Sequence, residues 1–247
     1  MHHFFVPSEW IAENRVTLSG SAAHQIRNVL RLRPGDHILA LDDSGWAWEV
    51  ELRELDLGQV TGEVVRRMLA HGEPRTKITL YQGVLKGRRF EFALQKGTEL
   101  GIVEFVPLIS DRAIIAALGD VNKRQARWKR IVRGAAAQCR RGRLPYLAPA
   151  MLFPRACERA QQQGGLALIP WEGESGLSLR AVLGEQQKKP FIVSIFIGPE
   201  GGFTPDEAKL AQHYGIRPVT LGPRILRAET AGLVAATVVL HELGDLE

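Results

Sequence analysis

Phe191-Ile-Val-Ser-Ile-Phe-Ile197 running into Gly198-Pro-Glu-Gly-Gly202, and Ile216-Arg-Pro-Val-Thr-Leu221 running into Gly222-Pro-Arg-Ile-Leu-Arg-Ala-Glu-Thr230, are the stretches that decide the fold. Each is a mostly apolar run that empties into a loop opened by glycine. Such a run reads as a strand buried on both faces rather than one with a wet side. Glycine after the strand lets a ligand approach the backbone, because no Cβ stands in the way. Between the loops, Thr204-Pro-Asp-Glu207 spells a helix start. Thr204 is the expected N-cap, Pro205 the first helical residue, and Glu207 the partner in a capping box. A second helix is expected from near Glu229 through Ala-Gly-Leu-Val-Ala-Ala-Thr-Val-Val-Leu. Two such loops on one sheet edge would form a crevice at the carboxyl ends of parallel strands, where open α/β sheets bind ligands.

Working backwards, strand and helix patterns alternate. Lys77–Gln82, Ile102–Ile109 and Leu166–Pro170 read as strands, Lys86–Leu100 as a helix stopped by Gly101, and Asn122–Arg141 as a long helix. That helix would turn Trp128, Ile131, Val132, Ala135 and Cys139 to one side. The expected class is therefore α/β, a mostly parallel sheet covered by helices. The first seventy residues differ. Short strands are expected at Phe4–Val6, Arg15–Leu18, His37–Asp42, Trp46–Arg53 and Val60–Met68, and Trp46-Ala-Trp-Glu-Val-Glu-Leu52 alternates with period two. One helix interrupts them, capped by Ser21, with Ala22, Ile26, Val29 and Leu30 as its apolar stripe and Arg27, Arg31 and Arg33 on its polar side. Five short strands and a helix suggest a small barrel. His71-Gly-Glu-Pro74 reads as a linker, dividing the chain into 1–72 and 73–247.

The net charge of +5 is unevenly spread. Residues 1–72 carry seven basic and ten acidic side chains, residues 73–150 sixteen and six, and residues 151–247 nine and eleven. Asn122–Arg143 alone holds nine basic residues and no acidic one. A merely solvated helix face usually mixes signs, since like charges one turn apart repel, so a polyanion partner, most simply nucleic acid, is favoured. Lys86, Arg88 and Arg89 form a second small patch. No apolar run is long enough to span a bilayer, and the start of the chain lacks the pattern of a secretory signal. Cys139 and Cys157 form neither a disulfide framework nor a metal spacing, and the seven histidines show no metal-ligand spacing. The expectation is a soluble protein of a reducing cytoplasm, with no membrane partner and no metal.

The loop Gly198–Gly202 lacks the Lys-Ser/Thr of a nucleoside-triphosphate loop and the spacing of a dinucleotide fingerprint. Pro199 removes an N–H that a phosphate cradle would use. Read alone, the loop could equally be a tight turn between a strand and a capped helix. The second loop adds Arg224, Arg227 and Glu229 between apolar stretches. A surface Arg227–Glu229 pair is one reading, and charges held for a ligand are the other. Trp171-Glu172, after the third strand, falls at the same crevice edge, where a packing tryptophan is the plain alternative.

Together, Leu94-Gln-Lys-Gly-Thr-Glu-Leu-Gly101, Ile197-Gly-Pro-Glu-Gly-Gly202 and Leu221-Gly-Pro-Arg-Ile-Leu-Arg-Ala-Glu-Thr230 resemble the RsmE family, the bacterial small-subunit ribosomal RNA uracil-N3 methyltransferases of the SPOUT superfamily. His24-Gln-Ile-Arg-Asn-Val-Leu-Arg-Leu-Arg-Pro-Gly-Asp36 matches that family's N-terminal domain, and the resemblance covers essentially the whole chain. One departure is Ala137, where the family usually places an acidic residue before Gln138-Cys139.

The resemblance implies a PUA-like, RNA-holding N-terminal domain and a C-terminal domain with a trefoil knot, an exception to the unknotted rule. It implies S-adenosyl-L-methionine as cofactor, a homodimer as the active unit, and a uridine in the decoding region of 16S ribosomal RNA as substrate. Cofactor-binding residues would then lie on three loops: Pro170, Trp171 and Glu172; Ile197, Gly198, Pro199, Glu200 and Gly201; and Leu221, Gly222, Ile225, Leu226 and Thr230. In this reading Ile225 is an apolar wall, and Glu200 meets the ribose hydroxyls or the ammonium. Arg227 would stabilise charge developing on the uracil oxygens, and Glu229 would orient Arg227 or take the N3 proton. RNA contacts are expected from Arg27, Arg31 and Arg33, from Lys86, Arg88 and Arg89, and from Arg140, Arg141 and Arg143. A non-catalytic RNA-binding factor of the same fold, or a SPOUT enzyme acting on another RNA, would share these features.

Overall fold

A computed structural model describes residues 1–114 and 118–246. By their internal contacts these fall into two units, Met1–Glu73 with Ala136–Leu144, and Pro74–Ala135 with Pro145–Glu247. The segment Ala136–Leu144 thus packs with the first unit, although in sequence it follows the start of the second.

Unit 1 is built on β1 (His2–Phe5), β2 (Ile11–Ala12), β3 (Arg15–Ser19), β4 (His37–Leu41), β5 (Trp46–Asp56) and β6 (Gln59–Leu69), in the sheet order β1-β4-β5-β6-β3-β2. β1 runs parallel to β4 and the other pairs are antiparallel. Phe4, Leu18, Ile26, Ile38, Val50 and Leu52 form part of its core. Two expectations are corrected here. Trp48, Val50 and Leu52 pack on one core as the alternation reads, but the opposite side of β5 is not wholly wet, because Ala47 is buried with Phe5 and Leu41. The pairing slips between Glu49 and Val50, where Val65 of β6 is the extra residue. Trp46 and Trp48 are half-buried and lie beside the Arg67 guanidinium. The helix starts one residue earlier than Ser21, as α1 (Gly20–His24), and continues as a wider π turn over Gln25–Val29. The extra residue per turn rotates the stripe, so Ile26 is fully buried but Val29 is 63% exposed.

Unit 2 alternates as expected. β7 (Lys77–Gly83), α2 (Arg89–Leu100), β8 (Glu104–Ile109), α3 (Leu118–Asn122), α4 (Gln125–Gln138), β9 (Tyr146–Leu147), β10 (Met151–Leu152), α5 (Phe153–Gln163), β11 (Leu166–Pro170), α6 (Leu179–Gly184), β12 (Ile192–Ile197), α7 (Pro205–His213), β13 (Arg217–Val219) and α8 (Ala228–Leu243) follow in order. Every strand pair is parallel, in the order β10-β8-β7-β12-β11-β13, with β9 also on β8. Neighbouring residues feed opposite cores. Leu80, Phe105, Leu168 and Ile195 join one, while Tyr81, Val106, Ile169 and Phe196 join the other. That is the physical content of an unbroken apolar run in a sheet covered on both sides. Gly101, at φ 110°, ends α2 with its N–H on the carbonyls of Gly97 and Thr98. The helix expected over Asn122–Arg141 is α4 alone, shorter at both ends, and a separate short helix, α3, precedes it. Trp128, Val132 and Ala135 of α4 are buried. Among the described residues no helix is long and apolar enough to cross a membrane.

Candidate active site

The carboxyl ends of β11, β12 and β13 and the first turn of α8 enclose a cleft of about 990 Å³. Its walls are tied together by backbone bonds that the sequence spacing alone does not reveal. The Trp171 N–H donates to the Val219 carbonyl at 3.1 Å, Thr220 N–H to Leu177 O at 2.8 Å, and Leu179 N–H to Thr220 O at 3.2 Å. Gly202 N–H closes the first loop on Pro199 O at 2.9 Å, and the Trp171 indole N–H reaches Phe203 O at 3.4 Å. Loops bonded to one another in this way present a preformed surface to a ligand. The capping box forms as read: Glu207 N–H donates to Thr204 Oγ1 at 3.1 Å and Thr204 N–H to Glu207 Oε2 at 2.8 Å. The other carboxylate oxygen of this buried glutamate accepts from Asp111 N–H at 2.9 Å, so the cap also holds the segment after β8.

Two close approaches fix the first loop from below and beside. A Cβ on Gly83, the last residue of β7, would sit 2.6 Å from the Gly198 carbonyl carbon and 2.9 Å from its oxygen. Only glycine lets the strand end reach the loop backbone this closely. Arg112 Nη1 donates to the Gly201 carbonyl at 2.8 Å. Sequence reasoning singled out neither residue. A strand-terminal glycine could have drawn attention to Gly83, whereas Arg112 is far from the loop in sequence.

The cleft brings together Pro170, Trp171, Glu172, Ile197, Gly198, Pro199, Glu200, Leu221, Gly222, Ile225, Leu226, Arg227 and Glu229. Gly201 and Thr230 are not part of its lining. Gly201 turns to Arg112, and Thr230 is an exposed residue whose N–H donates to Arg227 O at 2.8 Å. Ile225 stands at the rim, 86% exposed. Arg227 occupies the N-cap position of α8 with an exposed side chain. The basic residue beside Glu229 is Arg89, whose Nε lies 3.9 Å from Glu229 Oε1 and whose Nη1 lies 3.5 Å from Glu200 Oε1. Arg89, grouped with the RNA patch in the sequence, thus bridges the first loop to α8 inside the cleft. Lys86 N–H also donates to Glu200 Oε1, at 3.0 Å. Glu229 Oε2 is buried with no hydrogen-bond partner among the described residues. In total, Glu172, Glu174, Glu200 and Glu229 face Arg89, Arg224 and Arg227. The backbone N–H groups of Gly176 and Leu177 hold the Glu174 carboxyl below its usual range.

The other basic positions separate by environment. Arg31, Arg33, Lys86, Arg88, Arg140 and Arg143 are exposed, and Arg27 is half-buried, with Nη1 donating to Asp56 O at 2.6 Å. Arg143 Nη2 donates to Ser44 O at 2.7 Å. Arg141 is different, being only 2% exposed, with Nη2 2.9 Å from Glu73 Oε2 and Nε 3.2 Å from Oε1. The same carboxylate accepts from Gly142 and Arg143 N–H, both at 3.1 Å. Arg141 therefore serves the interior of unit 1, a role that the run of like charges in sequence hid. Among the described residues, no group of three or more His, Cys, Asp or Glu could hold a metal ion.

Residues 72–240 match a family model described as an RNA methyltransferase domain, and residues 18–65 one described as an RNA methyltransferase PUA domain. The chain is 36% identical over 234 residues to a ribosomal RNA small subunit methyltransferase E of Synechocystis, covering 95% of this chain and 75% of that protein. It is 30% identical over 233 residues to the protein of the same name in Bacillus subtilis, covering 92% and 90%. Among solved structures, a ribosomal RNA small subunit methyltransferase E from Neisseria gonorrhoeae bound to S-adenosyl methionine superposes with a TM-score of 0.87 at 31% identity, covering 98% of this chain and 97% of that one. These likenesses run through both units and through all three cleft loops, so the chain belongs to the RsmE family of RNA methyltransferases.

Proposed function

We propose that this chain transfers the methyl group of S-adenosyl-L-methionine to N3 of a uridine in the decoding region of 16S ribosomal RNA. The observation that carries this reading is the cleft itself, formed where the two glycine-opened loops and the Trp171 loop converge on the first turn of α8. Its residues fit the cofactor. Four carboxylates against three guanidinium groups suit a ligand with two cationic centres, a sulfonium and an ammonium. The Gly83 contact brings the backbone of Gly198 and Pro199 to the cleft wall with no side chain between. When bound, S-adenosyl-L-methionine supplies an electrophilic methyl on its sulfonium, and the protein's part is positioning.

Uracil N3 carries a proton, and its loss places negative charge on the flanking carbonyl oxygens. Arg227, exposed at the cleft and without a carboxylate partner among the described residues, stabilises that charge. Glu229, whose side chain lines the cleft beside Arg89, takes the proton. Arg89 holds Glu229 and Glu200 in their relative places. The target base leaves its stack to enter the cleft. Unit 1, with its PUA match, holds the RNA through Arg27, Arg31, Arg33, Arg140 and Arg143, contacts that position the polymer without reading its sequence.

The reading extends to a homodimer, supported by α8, a long helix whose Leu233, Val234 and Val238 remain half-buried in addition to its buried face. It extends also to a trefoil-knotted path, supported by β12 lying between β7 and β11 while the chain after β13 bonds to Leu177 and Leu179. It places the work in the cytoplasm, where ribosomal RNA is. Calorimetric titration with S-adenosyl-L-methionine tests the cofactor assignment, since a chain that kept the fold and lost the chemistry would give no heat. Arg112→Ala should weaken that binding about 10-fold, as loss of a charged donor to a loop carbonyl is worth roughly 1.5 kcal/mol. Turnover at saturating cofactor should stay near that of the parent. Unchanged affinity would show that the loop stands without Arg112.

A further inference from the structure

Arg89 faces the cleft, and Arg88, one residue back, faces a separate shallow notch. This notch, of about 470 Å³, lies between the start of α2 and α4 and is lined by Arg88, Glu91, Arg127, Arg130 and Ile131. Arg127 is fixed in a two-pronged pair with Glu91, Nε to Oε1 at 2.7 Å and Nη2 to Oε2 at 2.8 Å. Neither Arg88 nor Arg130 has a carboxylate partner among the described residues, the ion pairs of this region being Arg127–Glu91, Arg89–Glu200 and Arg89–Glu229. Three guanidinium groups against one carboxylate leave the notch a net charge of +2. Like charges gathered from two helices repel one another unless an anion joins them.

We infer that the notch seats a phosphodiester of the RNA strand whose target base enters the neighbouring cleft, an assignment that rests on the methyltransferase reading. Guanidinium forks match the paired oxygens of a phosphodiester better than ammonium groups do. The prior fixing of Arg127 by Glu91 lowers the cost of ordering the site. The notch is far larger than an inorganic phosphate, and half-buried Ile131 gives it an apolar floor on which a ribose can rest. Because Arg88 and Arg89 are consecutive, with Cα atoms roughly 4 Å apart, the notch and the cleft are served by neighbouring positions at the start of α2. The notch would therefore set which nucleotide reaches the cleft, adding register to the diffuse attraction of the basic surface.

The test is the salt dependence of RNA binding by the full chain, read by fluorescence anisotropy with a single-stranded ribosomal RNA oligonucleotide containing the target uridine. Each phosphate neutralised on a single strand contributes about 0.7 to the slope of log affinity against log salt, so Arg88→Ala with Arg130→Ala, which empties this one-phosphate seat, should flatten it by about 0.7. Affinity for S-adenosyl-L-methionine should not change. If the double variant unfolds, Arg130→Gln alone reads the same quantity, with a slope flatter by a part of that roughly 0.7. An unchanged slope overturns the assignment. So does full displacement of RNA when phosphate replaces chloride at constant ionic strength, which would give the notch to free phosphate. Methyl transfer measured in parallel separates the two ideas: transfer with an unchanged slope overturns the notch alone, whereas no transfer overturns the activity on which it rests.

Discussion

Arg227→Ala should lower the single-turnover rate of methyl transfer by about 10²- to 10³-fold, the usual cost of removing one donor to a developing oxyanion, while affinity for S-adenosyl-L-methionine changes little. The expectation follows from the position of the side chain. Arg227 caps α8 through its backbone carbonyl, which accepts from Thr230 and Ala231 N–H, both at 2.8 Å. Alanine keeps that carbonyl, so the helix start survives. The guanidinium is exposed at the cleft and carries no ion pair among the described residues, so removing it leaves no buried charge stranded. Its loss should therefore appear in the rate and not in folding or cofactor affinity. Arg227→Lys should recover part of the rate, since it restores charge but not the planar fork. A normal rate in Arg227→Ala would remove this residue from the chemistry and shift attention to Arg89 and Arg224, the other guanidinium groups of the cleft.

Gly83→Ala should weaken cofactor binding by about 30- to 100-fold, corresponding to roughly 2–3 kcal/mol of overpacking. The new methyl would meet backbone on the opposite side, with Gly198 carbonyl carbon 2.6 Å away and Pro199 N closer still. No rotamer can relieve a clash with main chain. β7 and β12 are paired in register up to Gln82 and Ile197, so the strands cannot slide apart without breaking that ladder. The strain must go into the loop, and thus into the cofactor site. Gly134→Ala is the matched control. This glycine is exposed in α4 with open space where a Cβ would go, so alanine should add up to about 1 kcal/mol of helix stability and leave cofactor binding alone. Equal effects of the two substitutions would contradict the close approach of β7 to the loop.

The contrast between Gly83 and Gly198 shows what can be read from a chain alone. Gly198 and Gly222 announce themselves because each follows an apolar strand and precedes a helix, a pattern contained within a dozen residues. Thr204, Pro205 and Glu207 are legible for the same reason, and the structure bears out their cap. Gly101 likewise ends its helix where its residue type requires. What escaped reading depends on partners distant in sequence. Gly83 matters through Gly198 and Pro199, Arg112 through Gly201, and Arg141 through Glu73. The bulge at Val65 of β6 escaped because residue types there do not mark it, and only the pairing with Glu49 and Val50 displays the slip. The π turn before Leu30 is a change of helical phase that residue types there do not mark, and α3 is a five-residue helix too short to show a period. The short strands β9 and β10 are two residues each, too brief for any periodicity to register.

The central claim is that this cleft carries a methyl group to N3 of one uridine. The most direct measurement is incubation of the purified protein with methyl-labelled S-adenosyl-L-methionine and small ribosomal subunits from cells lacking this chain's activity. Digestion of the RNA to nucleosides and mass analysis then follow. The account predicts label in 3-methyluridine, at one position of the 16S strand. Label confined to any other nucleoside, or none with active subunits and bound cofactor, would contradict it.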